Sequence, residues 1–253
     1  MKNYFFKCIC ISVLLFSITS CNQKKAISIF LDTDIVAPKT YVVYKISDKI
    51  TIDGKADEKD WEAAEFTSNF IDIEGVKIPT QQTNVKMLWD DDFLYIYAKL
   101  HEKHIWGNIT KRDQVIFYNN DFEVFISPSN DTHNYGEIEI NALGTVWDLL
   151  LNKPYNVGGK PKNSWNLTEL KTSIFTKGTI NDPSDTDEFW AVEMAIPLKD
   201  FAELKNKPKV TPKNGEQWRI NFSRVQWDYD LSNGTYSRKK ENNKILPEYN
   251  WVW

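Results

Sequence analysis

The feature that most restricts this chain is strict two-residue alternation. In "DFEVFISP" (121–128), Phe122, Val124 and Ile126 alternate with Asp121, Glu123 and Phe125. In "EIEINALGTVWDLLL" (137–151), Ile138, Ile140 and Ala142 alternate with Glu137, Glu139 and Asn141. In "WRINFSRVQW" (218–227), Trp218, Ile220 and Phe222 alternate with Arg219, Asn221 and Ser223. A period of two means strands with one buried face, because successive strand side chains point to opposite sides. Burying a Val, Ile or Phe side chain stabilises by about 1.5–3 kcal/mol, so the apolar sets face the core. A one-residue slip would turn every side chain over, which fixes the polar sets to the opposite side.

The same period recurs elsewhere. "VKMLWDDDFLYIYAKL" (85–100) reads as a hairpin, with Val85, Met87 and Trp89 on one face, a turn at Asp90, Asp91 and Asp92, and Leu94, Ile96, Ala98 and Leu100 returning. "FWAVEMAIPL" (189–198) is a further strand. Residues 49–66 predict a short strand at Ile50 and Ile52, a turn at Gly54, and a short helix capped by Asp57 that carries Trp61 and Ala64. The connections are rich in Asn, Asp, Pro, Lys and Gly, and no long amphipathic helix or internal repeat is present. The pattern predicts an all-β fold: a single antiparallel β-sandwich of two packed sheets with one short N-terminal helix.

Residues 1–20 predict an export signal: Lys2 and Lys7 lead an apolar run from Ile9 to Ile18 that is too short to span a bilayer. "ITSC" (18–21) resembles a bacterial lipobox, so Cys21 is the expected lipidation site and residues 21–40 a lipidated tether ahead of a domain at 41–253. Cleavage there removes Cys8 and Cys10 and leaves no pair for a disulfide. The expected location is a membrane-anchored exported lipoprotein, in the periplasm or at the outer-membrane surface. The formal charge of −4 becomes more acidic once Lys2 and Lys7 leave, which excludes nucleic acid as an expected partner.

If the alternating strands are neighbours, carboxylates, amides and guanidinium groups share one sheet face. Saccharides suit such a face: ring hydroxyls donate to Glu123, Glu137 and Glu139, accept from Arg219 or Arg224, and do both with Asn141 and Asn221. Aromatic side chains supply flat area for the apolar face of a sugar ring. The interruption at Ser223–Arg224 reads as a bulge or strand end that re-aims Arg224 or Trp227. A solvated face with cross-strand ion pairs is the plain alternative.

Other chemistries are weaker. Glu137 and Glu139 are i, i+2 on one strand, about 6.6 Å apart, near the spacing of an inverting glycosidase. His101 and His104 in "HEKH" lack the helical zinc spacing and read as loop residues. Asp90, Asp91 and Asp92, and Asp182, Asp185 and Asp187, are candidate calcium ligands or ordinary turn formers. Met87 and Met194 sit in core phase, so packing is a better reading than haem ligation.

Taken together, "ITIDGKADEKDWEAA", "VKMLWDDDFLYIYAKL", "NDFEVFIS", "EIEINALGTVWDL" and "WRINFSRVQW" resemble carbohydrate-binding module family 9 in a Bacteroidetes lipoprotein form, over roughly residues 41–253. The resemblance implies a two-sheet sandwich of the jelly-roll or DOMON-like kind that holds a saccharide between two aromatic side chains, with structural calcium in some members. It implies a first stacking residue at Phe117 or Tyr118, a second at Trp251 or Trp253, and a strand carboxylate at Glu123. The family's arginine on the next strand falls near Glu139, a reversal of charge for which Arg219 or Arg224 would compensate. Relatives continue past "NWVW", so either the sequence is a fragment, with its last strand missing, or the domain is closed by some other segment. The implied function is non-catalytic saccharide binding at the envelope beside glycan-degrading enzymes. A glycoside hydrolase, or a structural lipoprotein without ligand, is the alternative.

Overall fold

The structure, a computed structural model, describes residues 37–129, 131–205 and 210–253. The leader, Cys21 and most of the tether lie outside the described residues. The folded unit runs from Val42 to Trp253. Its strands are β1 (Tyr44–Lys45), β2 (Ile71–Asp72), β3 (Thr83–Trp89), β4 (Phe93–His101), β5 (Asp121–Ser127), β6 (Tyr135–Asn141), β7 (Val146–Leu151), β8 (Pro161–Lys162), β9 (Lys171–Lys177), β10 (Phe189–Pro197), β11 (Arg219–Gln226), β12 (Tyr229–Ser232), β13 (Thr235–Arg238), β14 (Lys240–Glu241), β15 (Lys244–Ile245) and β16 (Tyr249–Val252). Sheet one has the order β1-β3-β4-β10-β9 and sheet two the order β2-β16-β11-β5-β6-β7-β8. β12–β13 and β14–β15 are separate hairpins. No helix among the described residues is long and apolar enough to cross a membrane.

The fold is the β-sandwich that the alternation predicts. Val85, Ala98 and Val192 stand in register across sheet one, and Phe222, Val124 and Ile138 across sheet two. All six are fully buried. Local chemistry makes the turns. Asp90 closes the β3–β4 hairpin by accepting the Asp92 and Phe93 amides at 2.8 and 2.7 Å and the Tyr95 hydroxyl at 2.7 Å. At the β6–β7 turn, Asn141 Oδ1 accepts the Leu143 and Thr145 amides at 3.1 and 3.0 Å, and Gly144 takes φ +77°.

Both sheets are also covered on their outer faces. On sheet one, Leu88, Tyr95, Tyr97, Ala191 and Ala195 lie under Ile46, Ile50, Trp61 and Ala64 of the N-terminal segment. On sheet two, Trp147, Leu149 and Leu151 pack against Ile116, with Ile109, Val115 and Phe117 around them, while Val225 packs with Trp106, Trp227 and Tyr236.

Several local expectations are corrected. Ile50 and Ile52 form no strand; the edge position is taken by β1, paired in parallel with β3. The early helix is a 3₁₀ turn, Lys59–Ala63, whose N-cap is Glu58 rather than Asp57 and makes no side-chain capping bond. β11 runs without a bulge: each residue from Arg219 to Val225 faces one partner from Ser127 to Asp121. Arg224 therefore continues the inward series after Phe222. β9 was not foreseen. The edge beyond β16 is taken by β2, with Trp251 opposite Asp72.

Candidate functional site

Pairing on sheet two brings the predicted carboxylates together. Glu123 stands directly opposite Glu139 on one side and Ser223 on the other; Glu137 and Asp121 are its diagonal and next same-face neighbours. Asp121, Glu123 and Glu139 each offer an oxygen such that all three atoms lie within 4.8 Å of one another. The group is not a solvent-facing surface. Asp121, Glu123, Glu137 and Glu139 are all buried, with the Phe117 amide against Glu139 and the Tyr155 hydroxyl against Glu137. The donors they meet are few: the Val225 amide to Asp121 Oδ1 at 3.3 Å, the Phe117 amide to Glu139 Oε2 at 3.1 Å, the Tyr155 hydroxyl to Glu137 Oε2 at 3.3 Å, and a Ser223 hydrogen bond to Glu123. Among the described residues, no ion pair reaches any of the four.

Burial disfavours the charged forms, and neighbouring carboxylates add to this. Burial, then the Glu137 charge, pushes Glu123 up to about 8. Burial lifts Glu137 to about 7 against the Tyr155 hydrogen bond. Burial, then Glu123 and Glu137, lifts Glu139 to about 10. Asp121 is raised well above the usual range by burial, then by Glu123 and Glu139.

The other predicted residues scatter. Asn141 shares the outer face, but its amide donates to the Ile109 carbonyl at 2.8 Å and it is fully buried as a turn former. Arg219 and Asn221 are exposed at the far end of β11. Arg224 is fully buried on the inner side. It binds Glu102 Oε2 at 2.6 Å, the His101 carbonyl at 2.8 Å and Gln226 Oε1 at 2.6 Å, and lies 5.2 Å from the Trp251 ring. The opposite charge that the alternation left unexplained thus comes from Glu102, after β4. Trp251 is 1% exposed and is no free stacking platform. Trp253 is half-buried, 6.1 Å from Phe222. Tyr118 is exposed, but the Arg238 guanidinium sits 4.4 Å over its ring and 4.8 Å over that of Trp227. The space between those two rings is filled by the protein's own side chain. Phe117 is half-buried and packs edge-on against Tyr118.

His101 and His104 are separate half-buried groups; His104 Nδ1 hydrogen-bonds the Tyr236 hydroxyl at 2.9 Å. Asp182 holds the Ser184 amide, Asp185 the Thr179 hydroxyl and Asp187 the Ile105 and Thr179 amides. Asp90 makes its turn and Asp91 pairs with Lys45. These carboxylates pin loops.

A cleft of about 410 Å³ opens at the β11–β16 edge. Trp251, Gln226 and Glu102 line it from the buried side, with Trp227, Tyr229, Tyr249 and His104 also bordering it and Lys77 and Asp228 at its exposed rim. The Tyr249 hydroxyl donates to Asp228 Oδ2 at 3.2 Å, and Lys77 Nζ lies 4.8 Å from the Tyr249 ring. None of the four clustered carboxylates lines it. Trp227 and Trp251 were singled out from sequence, but Tyr229 and Tyr249 were not. Their only local signal is an aromatic next to turn-forming Asp and Asn in "DYD" and "EYNW".

A two-sheet sandwich with an aromatic, polar-rimmed cleft at one edge has the build of a small-ligand-binding module. The model of the family described as Carbohydrate family 9 binding domain-like matches residues 52–243, and the chain belongs to that family. Among solved structures, a carbohydrate binding module family 9 from Caldicellulosiruptor kristjanssonii in complex with cellotriose is 15% identical, with TM-score 0.49, covering 82% of this chain and 82% of that one. A presumed carbohydrate-binding protein from Bacteroides uniformis ATCC 8492 is 15% identical, with TM-score 0.54, covering 83% and 88%. The latter likeness is one of fold. A comparison with curated proteins found no match.

Proposed function

We propose that this chain is a non-catalytic saccharide-binding module carried as a lipoprotein at the cell envelope, where it holds glycans near degradative enzymes. Membership of a carbohydrate-binding family over residues 52–243 carries the reading. The cleft bordered by Tyr229, Tyr249, Asp228 and Lys77 supports it, because it offers ring faces beside both a donor and an acceptor. The leader and Cys21 support the envelope location. The hydrolase alternative gains carboxyls that hold protons near neutral pH, yet Glu137 and Glu139 are buried and do not line the cleft.

Glycan-array screening of the purified full chain, followed by titration calorimetry, tests the proposal. Binding of a saccharide that Tyr249→Ala weakens about tenfold is the expected result. Absence of any bound glycan removes the reading, and release of sugar product replaces it with the hydrolase.

A further inference from the structure

The cleft at the β11–β16 edge has an apolar lip for which a free sugar has no use. Resting on the saccharide reading, we propose that the cleft takes the headgroup of a membrane glycolipid, while the turn after β2 enters the lipid beside it. Ile71, Ile73, Val76 and Ile78 are all open to solvent, Val76 at 79% and Ile78 at 90%. Singly exposed aliphatic residues are ordinary, but a contiguous apolar group with a polar rim marks a binding surface. The turn also holds a defined shape. Buried Asp72 accepts the Val76 and Lys77 amides at 3.1 Å each through Oδ2, and its carbonyl accepts the Gly75 amide at 2.9 Å. The Ile73 amide donates to the Asn250 carbonyl at 2.9 Å, which ties the turn to β16. A carboxylate and a strand edge thus hold apolar side chains outward.

Position decides the partner. Lys77 and Ile78 line the cleft themselves, together with Tyr249 and Trp251. A ligand that meets both the aromatic cleft and the apolar turn carries a saccharide next to acyl chains. Lys77, 4.8 Å from the Tyr249 ring, places a cation on a flexible stem at the boundary between the two, the level at which lipid headgroups lie. The shape disfavours a protein partner, because side chains on one tight turn offer far less than the roughly 800 Å² that each side of a stable interface buries. Acyl chains accept such protruding side chains, and each one buried there adds affinity in proportion to its apolar area. Reach is sufficient as well: residues 22–41, between the expected anchor at Cys21 and the folded unit, span at most about 70 Å when extended.

The test mixes the exported chain with phosphatidylcholine vesicles, plain or containing glucosyl, galactosyl or mannosyl diacylglycerol, and separately with the matching free sugars. An environment-sensitive fluorophore is placed at Val76→Cys, and at Val157→Cys as an exposed apolar control in the loop after β7. Blue-shifted emission and quenching by a lipid-buried nitroxide are expected at the Val76 position alone, and only with a glycolipid present. Tyr249→Ala should abolish the shift. Ile73→Asn combined with Val76→Asn should weaken binding to the glycolipid vesicles at least about tenfold and binding of the free sugar less than about twofold. A fluorophore at the Val76 position that stays in water while free sugar binds overturns the proposal and leaves the saccharide reading standing. An equal shift in plain vesicles also overturns it and makes the turn a general membrane contact. A shift without vesicles that grows with protein concentration overturns it in favour of a second copy of the chain. If no sugar binds, free or lipid-borne, the saccharide reading falls with it.

Discussion

Glu193 and Asp121 are equally buried carboxylates on the outer faces of the two sheets, and their surroundings are opposite. Glu193 Oε2 accepts the Asp53 and Gly54 amides at 3.0 Å each, and Oε1 accepts the Trp61 indole at 3.1 Å. Asp121 has one long amide bond and three acidic neighbours. Each strand face is covered by a connecting segment, but the two covers bring different things. The cover over sheet one brings donors. Gly54 permits this: it takes φ +91°, and a Cβ there would lie 2.8 Å from the Phe175 nitrogen, so the backbone comes as close as a glycine allows. The cover over sheet two brings mainly apolar side chains such as Ile116 and Phe117. Covering a charge therefore stabilises only when the cover also carries the opposite dipole.

This contrast can be broken in order of expected effect. Arg224→Ala strips Glu102 of its buried partner and should cost about 3–5 kcal/mol in urea unfolding. Glu193→Leu orphans the Asp53 and Gly54 amides and the Trp61 indole, and a loss of about 2–3 kcal/mol is expected by the same measurement. Glu139→Gln should reverse the sign: at pH 9 the variant should be more stable than wild type by about 1 kcal/mol, because folding no longer has to hold that carboxyl protonated far above its unfolded range.

The pH dependence sharpens that result. A raised carboxyl contributes stability that is fully present below its unfolded value of 4.5 and is lost as pH rises through the folded values of about 7, 8 and 10 at Glu137, Glu123 and Glu139. Wild type should therefore weaken steadily from pH 5 to 9, and Glu139→Gln should show a shallower fall in thermal melts. The smallest effect belongs to the Lys45–Asp91 pair at 2.6 Å, whose side chains are 46% and 66% exposed. Lys45→Ala should change stability by less than about 1 kcal/mol.

Period two was enough to read the strands of the core and to place Glu123, Glu137 and Glu139 on one face. It did not reveal that this face is closed, because the covering residues Ile116, Trp106 and Trp227 sit in connecting segments that carry no alternation of their own. Arg224 shows the same limit. It stands in apolar phase, where an arginine suggests a bulge, and only the distant Glu102, together with Gln226 two residues along the strand, explains why the phase continues. β9, "KTSIFTK", sits at a sheet edge with every inner residue half-buried, so its alternation is too faint to read. The cleft depends on Tyr229 and Tyr249, which meet only when β16 docks beside β11.

That docking has a temporal side. Sheet two is finished at one edge by β2 and β16, segments from nearly opposite ends of the folded unit. Closing so long a stretch adds little to the thermodynamic bill, since loop entropy grows only with the logarithm of length. It does slow assembly, because distant pairings must wait for everything between them. The cleft bordered by Tyr249 and Trp251 should thus be among the last parts of the molecule to mature, and recovery of ligand affinity after dilution from urea should lag behind burial of the core tryptophans.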